Sequence, residues 1–132
     1  MITNHQLFKN MKALIIGATG ATGKDLVNKL IEDKDFNEIH AFVRKPLEIK
    51  NEKLTFHIVD FEKPETWKDL VTGDVAFSCL GTTLKDAGSK EAQHKVDYDY
   101  QLNFAKAAKE NNVEDFVLVS AYGANPNSKI FY

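Results

Sequence analysis

The sequence predicts an α/β fold built on a parallel sheet with helices on both faces, and three observations carry that prediction. Short strand-like runs alternate with helix-like ones, the order of βαβ units rather than of a sandwich or a bundle. The first run is almost continuously apolar, as a strand covered on both faces requires, and it breaks directly into glycines ahead of an amphipathic stretch. Size is the third: 132 residues, 43% hydrophobic and 27% charged, with 7 glycines and 3 prolines, suit one globular domain and leave no length for a second.

The elements follow in order. Residues 12–17, Lys-Ala-Leu-Ile-Ile-Gly, form strand one, and residues 1–11 before it are expected to be an N-terminal extension, with Met11 as an alternative start. Leu26, Val27, Leu30 and Ile31 share one helical face, with Lys24, Asp25, Asn28, Lys29 and Glu32 opposite, which predicts the first crossover helix. Residues 39–43 and 54–59 read as strands two and three. The polar stretch 46–53 between them predicts an abbreviated crossover. After Pro64, residues 65–71 predict a short helix closed by Gly73 and Asp74, and residues 75–80 predict strand four. Ala92, Val96, Tyr100, Phe104 and Ala108 recur every four residues, which predicts one unbroken helix from Ser89 to Asn112. Residues 116–120 supply strand five, followed by a loop containing Gly123 and Pro126.

Charge and composition exclude several function classes. Lys plus Arg number 17 and Asp plus Glu 19, a net charge of -2 with no basic stripe, so nucleic acid is not an expected partner. No apolar run is long enough to cross a bilayer, and no membrane partner is expected. A single cysteine, Cys79, and a start without the apolar core of a secretory signal lead to the expectation of a cytoplasmic setting. Cys79 reads as a small core residue rather than a nucleophile. The four histidines, His5, His40, His57 and His94, make no metal-ligand spacing, and no metal is expected. The tract 97–100, Asp-Tyr-Asp-Tyr, suits a partly exposed surface or a dimer seam.

The sharpest motif is Gly17-Ala18-Thr19-Gly20-Ala21-Thr22-Gly23, between a buried-type strand and an amphipathic helix. Gly17 permits the tight strand-to-helix turn, Gly20 lets a backbone approach a pyrophosphate, and Gly23 allows helix to pack closely on strand. The motif predicts dinucleotide binding; a plain tight turn is the alternative. At the end of strand two, an acidic side chain would hold two ribose hydroxyls, whereas a cation accommodates a 2′-phosphate. Arg44 and Lys45 stand there, which favours NADP(H) over NAD(H), with Arg44 the better candidate for its planar fork of donors. The alternative is that the two cations merely solvate a strand end. Asp60 and Phe61 after strand three, and Leu80, Gly81 and Thr82 after strand four, line the same crevice if the sheet is parallel. A turn cap is the competing role for Asp60.

Taken together, GATGATG, the VRKP strand end, SCLGTT, AGSKEAQHKVDYDY and FVLVSAYGANPNSKIFY resemble one family from about residue 12 to the last residue. They are similar to the atypical short-chain dehydrogenase/reductases of the Tat-interacting oxidoreductase-like group, relatives of the NmrA-like proteins. The resemblance implies a three-layer, doubly wound Rossmann fold with a parallel sheet of about five strands in the order 3-2-1-4-5. NADP(H) lies across the strand ends in such a fold. It also implies a serine and a YxxxK tyrosine–lysine pair beside the nicotinamide, matched here by Ser120 and Tyr132. The sequence ends at Tyr132, so the lysine and the C-terminal part of the family fold have no counterpart in it. A tyrosine with no neighbouring cation titrates near pH ~10, which makes Tyr132 by itself a weak acid–base catalyst at neutral pH.

The expectation is therefore an NADP(H)-binding domain, residues 1–132, of an atypical short-chain reductase. Its reaction would be hydride transfer between NADPH and a small carbonyl or quinone, with activity in this chain weakened by the absent lysine. The alternative is a non-catalytic module that senses NADPH or binds a partner protein, and a fragment with no retained function is the plainest reading. Strand five, as an uncovered apolar edge, leads to the expectation of a homo-oligomer.

Overall fold

The computed structural model describes residues 9–18, 20–79, 95–119 and 129–131. Its centre is β1 (Met11–Ile16), and residues 13–16 there are wholly shielded from solvent. Alternation along the strand sends Ala13 and Ile15 to one face and Leu14 and Ile16 to the other, so two separate cores form. On the first face they meet Val27 and Leu30 of α1 (Ala21–Glu32). On the second they meet Trp67 and the helix α2 (Gln101–Glu110), through Phe104, Ala107 and Ala108. Each large aliphatic chain buried this way contributes about 2 kcal/mol.

Around β1 stand β2 (Phe36–Val43), β3 (Leu54–Ile58), β4 (Val75–Ser78) and β5 (Asp115–Val119), all parallel, in the order β3-β2-β1-β4-β5. That order is the one the family resemblance implies. A sixth strand, β6 (Lys129–Phe131), extends the sheet antiparallel to β5, pairing Val117 with Phe131 and Val119 with Lys129. Strand five is consequently not an edge, and the ground for expecting self-association through it is gone.

Three local expectations are corrected. Residues 65–71 form two 3-10 turns, Pro64–Thr66 and Lys68–Leu70, in place of a helix. Trp67 between them has the non-helical backbone angles φ -131° and ψ -9°, and its indole N–H donates to the Asp60 carbonyl at 2.9 Å. So short a segment cannot repay helix nucleation, and the buried indole decides its path. The long helix is not uniform either, because Lys95–Tyr100 is a π-helix that becomes α only at Gln101. Residues 89–94 of that expected helix lie outside the described residues. Strand five begins at Asp115 rather than Phe116.

Helix ends are closed by specific bonds. The Lys53 ammonium donates to the carbonyls of Ile31 (2.8 Å) and Asp33 (3.1 Å), covering the C-terminus of α1 from the β2–β3 connection. That connection contains no helix, as its composition predicts, and Leu47 and Ile49 pack on the first core. At the end of α2, Asn112 takes a left-handed φ of 61°, and the N–H groups of Asn112 and Val113 close back on Lys109 and Ala108. The Asn111 amide donates to the carbonyls of Lys68 (2.7 Å) and Val71 (2.8 Å), fixing α2 to the 3-10 segment.

One pair was invisible to sequence spacing. His40 on β2 and His57 on β3 bring Nδ1 and Nε2 within 2.7 Å, one ring donating to the other, while Glu38 reaches His40 Nε2 at 3.3 Å. His57 also stacks on Phe42 with centroids 4.9 Å apart. Among the described residues no group of three or more side chains could hold a metal. Burial lowers the pKa of His40 from its ordinary 6.5, and the charge of Lys12 adds to this, against an upward pull from Glu38. Burial also lowers that of His57, helped by His40 and Lys12. The unfolded chain therefore takes up protons first as pH falls below about 6.5, so stability is full above that value and declines below it. Thermal melts between pH 7.5 and 5.5 should show a falling midpoint that flattens in His57→Phe, which keeps the ring stack but cannot titrate. An unchanged slope in the variant would place the pH dependence elsewhere.

Candidate functional site

The carboxyl ends of β1, β2, β3 and β4 leave the sheet along one edge. Ile16 is in register with Phe42 of β2 and Ser78 of β4, and Val43 with Ile58 of β3. Cys79 N–H donates to the Ile16 carbonyl and Val59 N–H to that of Val43. The chain turns away from β1 in opposite directions toward β2 and toward β4, which opens a crevice at the switch between them.

Gly17, Gly20 and Gly23 occupy that switch, and each lacks a side chain for a different reason. Gly17 has φ 83°, a left-handed conformation that glycine adopts without strain. At Gly23 a Cβ would run into the Gly17 carbonyl oxygen, and would sit 2.7 Å from the Gly17 carbonyl carbon and 2.8 Å from Ala18 Cα. All three are backbone atoms, so nothing can swing aside. Gly20 is unlike both: its angles, φ -78° and ψ 167°, suit any residue, and among the described residues a Cβ would find only the Gly17 oxygen at an ordinary 3.8 Å. Among the described residues neither the backbone nor the packing requires glycine at 20, which leaves the surface there open to approach.

Gly20 is also the N-cap of α1, where it can offer no capping side chain, and the first turn carries no acidic residue. Helix geometry leaves the N–H groups of that first turn without intrahelical acceptors, and the helix dipole adds partial positive charge. A phosphate fits these donors, and the residues present therefore suit a dinucleotide. Thr22 is half-buried in this turn, and Ala21 is its first helical residue. Thr19 lies outside the described residues.

Arg44 and Lys45 are exposed directly beyond β2, next to the glycine turn in the strand order and free to meet an anionic group. Asp60 is exposed, with Oδ1 accepting the Glu62 N–H at 3.0 Å, so it acts as the turn cap that sequence reasoning set against ligand binding. Phe61 is a correction. Its ring is 4% exposed, stacks on Tyr100 at 5.4 Å and meets Trp67 edge-on at 5.9 Å, so it belongs to the core rather than to a crevice wall. Cys79 is buried and its thiol is pushed up to about 12 by desolvation, which keeps it protonated and inert. Leu80, Gly81, Thr82, Ser120 and Tyr132 lie outside the described residues. Sequence reasoning missed Ser78, the buried serine that ends β4 at this edge. Its hydroxyl stands in an otherwise apolar strand, the one signal available beforehand.

A doubly wound sheet with a glycine turn and an uncapped helix start at its switch point is the frame of a dinucleotide-binding domain. The chain belongs to the family described as NAD(P)H-binding, whose model matches residues 17–131. It is 40% identical over 124 residues to "Protein FMP52, mitochondrial" of Eremothecium gossypii, covering 92% of this chain and 54% of that protein. To "Protein HTATIP2" of Rattus norvegicus it is 34% identical, covering 94% and 52%. Among solved structures, the oxidoreductase ylbE from Lactococcus lactis superposes with a TM-score of 0.66 at 26% identity, covering 82% of this chain and 47% of that one. The resemblance to short-chain dehydrogenase/reductases is thereby borne out. The chain spans about half the length of the curated relatives it matches.

The expected cytoplasmic setting is overturned by these relatives. The Eremothecium protein, and those of the same name from Debaryomyces hansenii and Saccharomyces cerevisiae, are named as mitochondrial. A lone cysteine does not choose among reducing compartments. Among the described residues, no helix is long and apolar enough to cross a membrane.

The glycine geometry separates folding from binding. Gly23→Ala should lower stability by about 2 kcal/mol or more, since only backbone can yield. Gly20→Ala should stay within about 1 kcal/mol of wild type, a modest capping loss being offset by a less free unfolded chain. Denaturant unfolding of the two variants checks this, and a Gly20→Ala loss as large as that of Gly23→Ala would refute the assignment.

Proposed function

We propose that the chain binds NADP(H) in preference to NAD(H) and forms the nucleotide-binding part of a mitochondrial short-chain reductase. The observation that carries this reading is Gly20, whose bare backbone has no explanation among the described residues and lies at the start of an uncapped helix. The exposed pair Arg44 and Lys45, with no acidic residue at the end of β2, supports the 2′-phosphate form. Oxidoreductase membership of the family supports the reaction class, and the names of the fungal relatives support the compartment.

The residues divide the work by position. First-turn amides of α1 hold the pyrophosphate, and the Arg44 guanidinium holds the 2′-phosphate through paired charge-assisted bonds. A nicotinamide cofactor held there would supply hydride chemistry toward a small carbonyl or quinone. Ser120 orients the carbonyl oxygen and Tyr132 donates its phenolic proton to it, two roles that rest on the family resemblance. Tyr132 needs a nearby cation to lower its pKa toward neutrality.

Calorimetric titration with NADPH and NADH tests the reading. Wild type should bind NADPH more tightly, and Arg44→Ala should weaken NADPH by about tenfold or more while leaving NADH unchanged. Gly20→Ala should weaken both nucleotides. Binding of neither nucleotide by wild type would sink the proposal, and binding without any NADPH oxidation on a panel of aldehydes, ketones and quinones would favour a sensing module.

A further inference from the structure

Ser78 is the one polar side chain fully buried among the described residues, 0% exposed in a core otherwise built of Leu14, Ile16, Ala76 and Phe104. Its hydroxyl donates to Gln101 Oε1 at 3.1 Å. Gln101 is the residue at which the helix passes from π to α. One residue earlier, Tyr100 lies stacked on Phe61. An apolar and a polar anchor thus hold the π turn at the sheet.

The bond joins two features that are costly on their own: a buried hydroxyl, which needs this partner, and a π turn ending at Tyr100, whose geometry is poorer than that of an α-helix. Two such departures meeting at one hydrogen bond mark a place where structure serves something besides stability. Location indicates what. The far end of α2 is tied by Asn111 to Lys68 and Val71, and Asp115 N–H reaches the Asp74 carbonyl, so the helix ends at the amino edge of β4. Its beginning, bonded to the last residue of β4, therefore stands at the carboxyl edge, where the crevice opens. A dinucleotide at the β1/β4 switch with its adenosine toward β2 extends its nicotinamide toward β4.

We propose that Gln101 is a positioning residue: fastened by Ser78, it sets residues 95–100 as the wall of the crevice at the nicotinamide end. The proposal rests on the cofactor reading above. Its bond acts on one half of the ligand only, and this distinguishes it from a plain core contact.

The test uses Ser78→Ala/Gln101→Leu, in which both polar ends become apolar, an exchange that is close to neutral for stability. Gln101→Met, of equal length without the amide, serves as a second variant. The probes are NADPH and adenosine 2′,5′-bisphosphate, which carries the adenosine phosphates but no nicotinamide. Both variants should bind NADPH about tenfold more weakly while binding the bisphosphate as wild type does, a displaced wall acting only at the far end. Equal weakening of both probes would reduce the bond to a structural one, and unchanged binding of both would remove any role; either overturns the proposal. Wild type binding neither probe would instead overturn the cofactor reading, and the wall with it.

Discussion

The contact between Gly23 and the Gly17 carbonyl governs the rest of the arrangement. Because no Cβ intervenes, α1 begins almost on top of the end of β1, and the axis of the helix is fixed against the central strand at its first turn. That placement directs the first-turn amides to the strand ends instead of to open solvent. It also lays Val27 and Leu30 over Ala13 and Ile15, so the same short distance organises the first core and the candidate phosphate site. Folding and ligand geometry are in this region one constraint.

The second face is built differently. Aromatic rings dominate there: Phe42 lies among Trp67, Phe104 and His57, and Phe61 between Trp67 and Tyr100. Rings of this size leave little tolerance for a standard helix between residues 64 and 71, and the backbone bends into 3-10 turns to seat the indole. The first core is aliphatic and regular; the second is aromatic and carries the irregular elements.

Much of this was legible in the sequence for reasons of periodicity. The apolar run ending at Gly17, the paired apolar positions of α1 and the order of elements gave the parallel sheet, and the three glycines marked its switch. What was not legible depends on partners distant in the chain. His40 and His57 lie 17 residues apart and meet only because β2 and β3 pair in one register. Phe61 sits at a strand end, as a ligand contact would, but the rings of Trp67 and Tyr100 draw it into the core. The π segment was not legible, because the four-residue repeat reads the same on an α-helix: Tyr100, Phe104 and Ala108 keep to one core although the steps between them are α. Strand β6 had no periodic signal, since three residues carry none.

The Lys53 clamp gives the β2–β3 connection a further property. The connection starts with Arg44 and Lys45 and ends where the Lys53 ammonium grips the last carbonyls of α1. The opposite end of the same helix begins at the glycine turn. Helix and connection thus form a closed frame, tied at one end by the sheet and at the other by a charge-assisted cap. The backbone that carries the two exposed cations is therefore held at both ends once the chain folds, by β2 at one and by Lys53 at the other. A loop held in this way would lose less chain entropy on meeting an anion, and such preorganisation acts mainly on the rate of release.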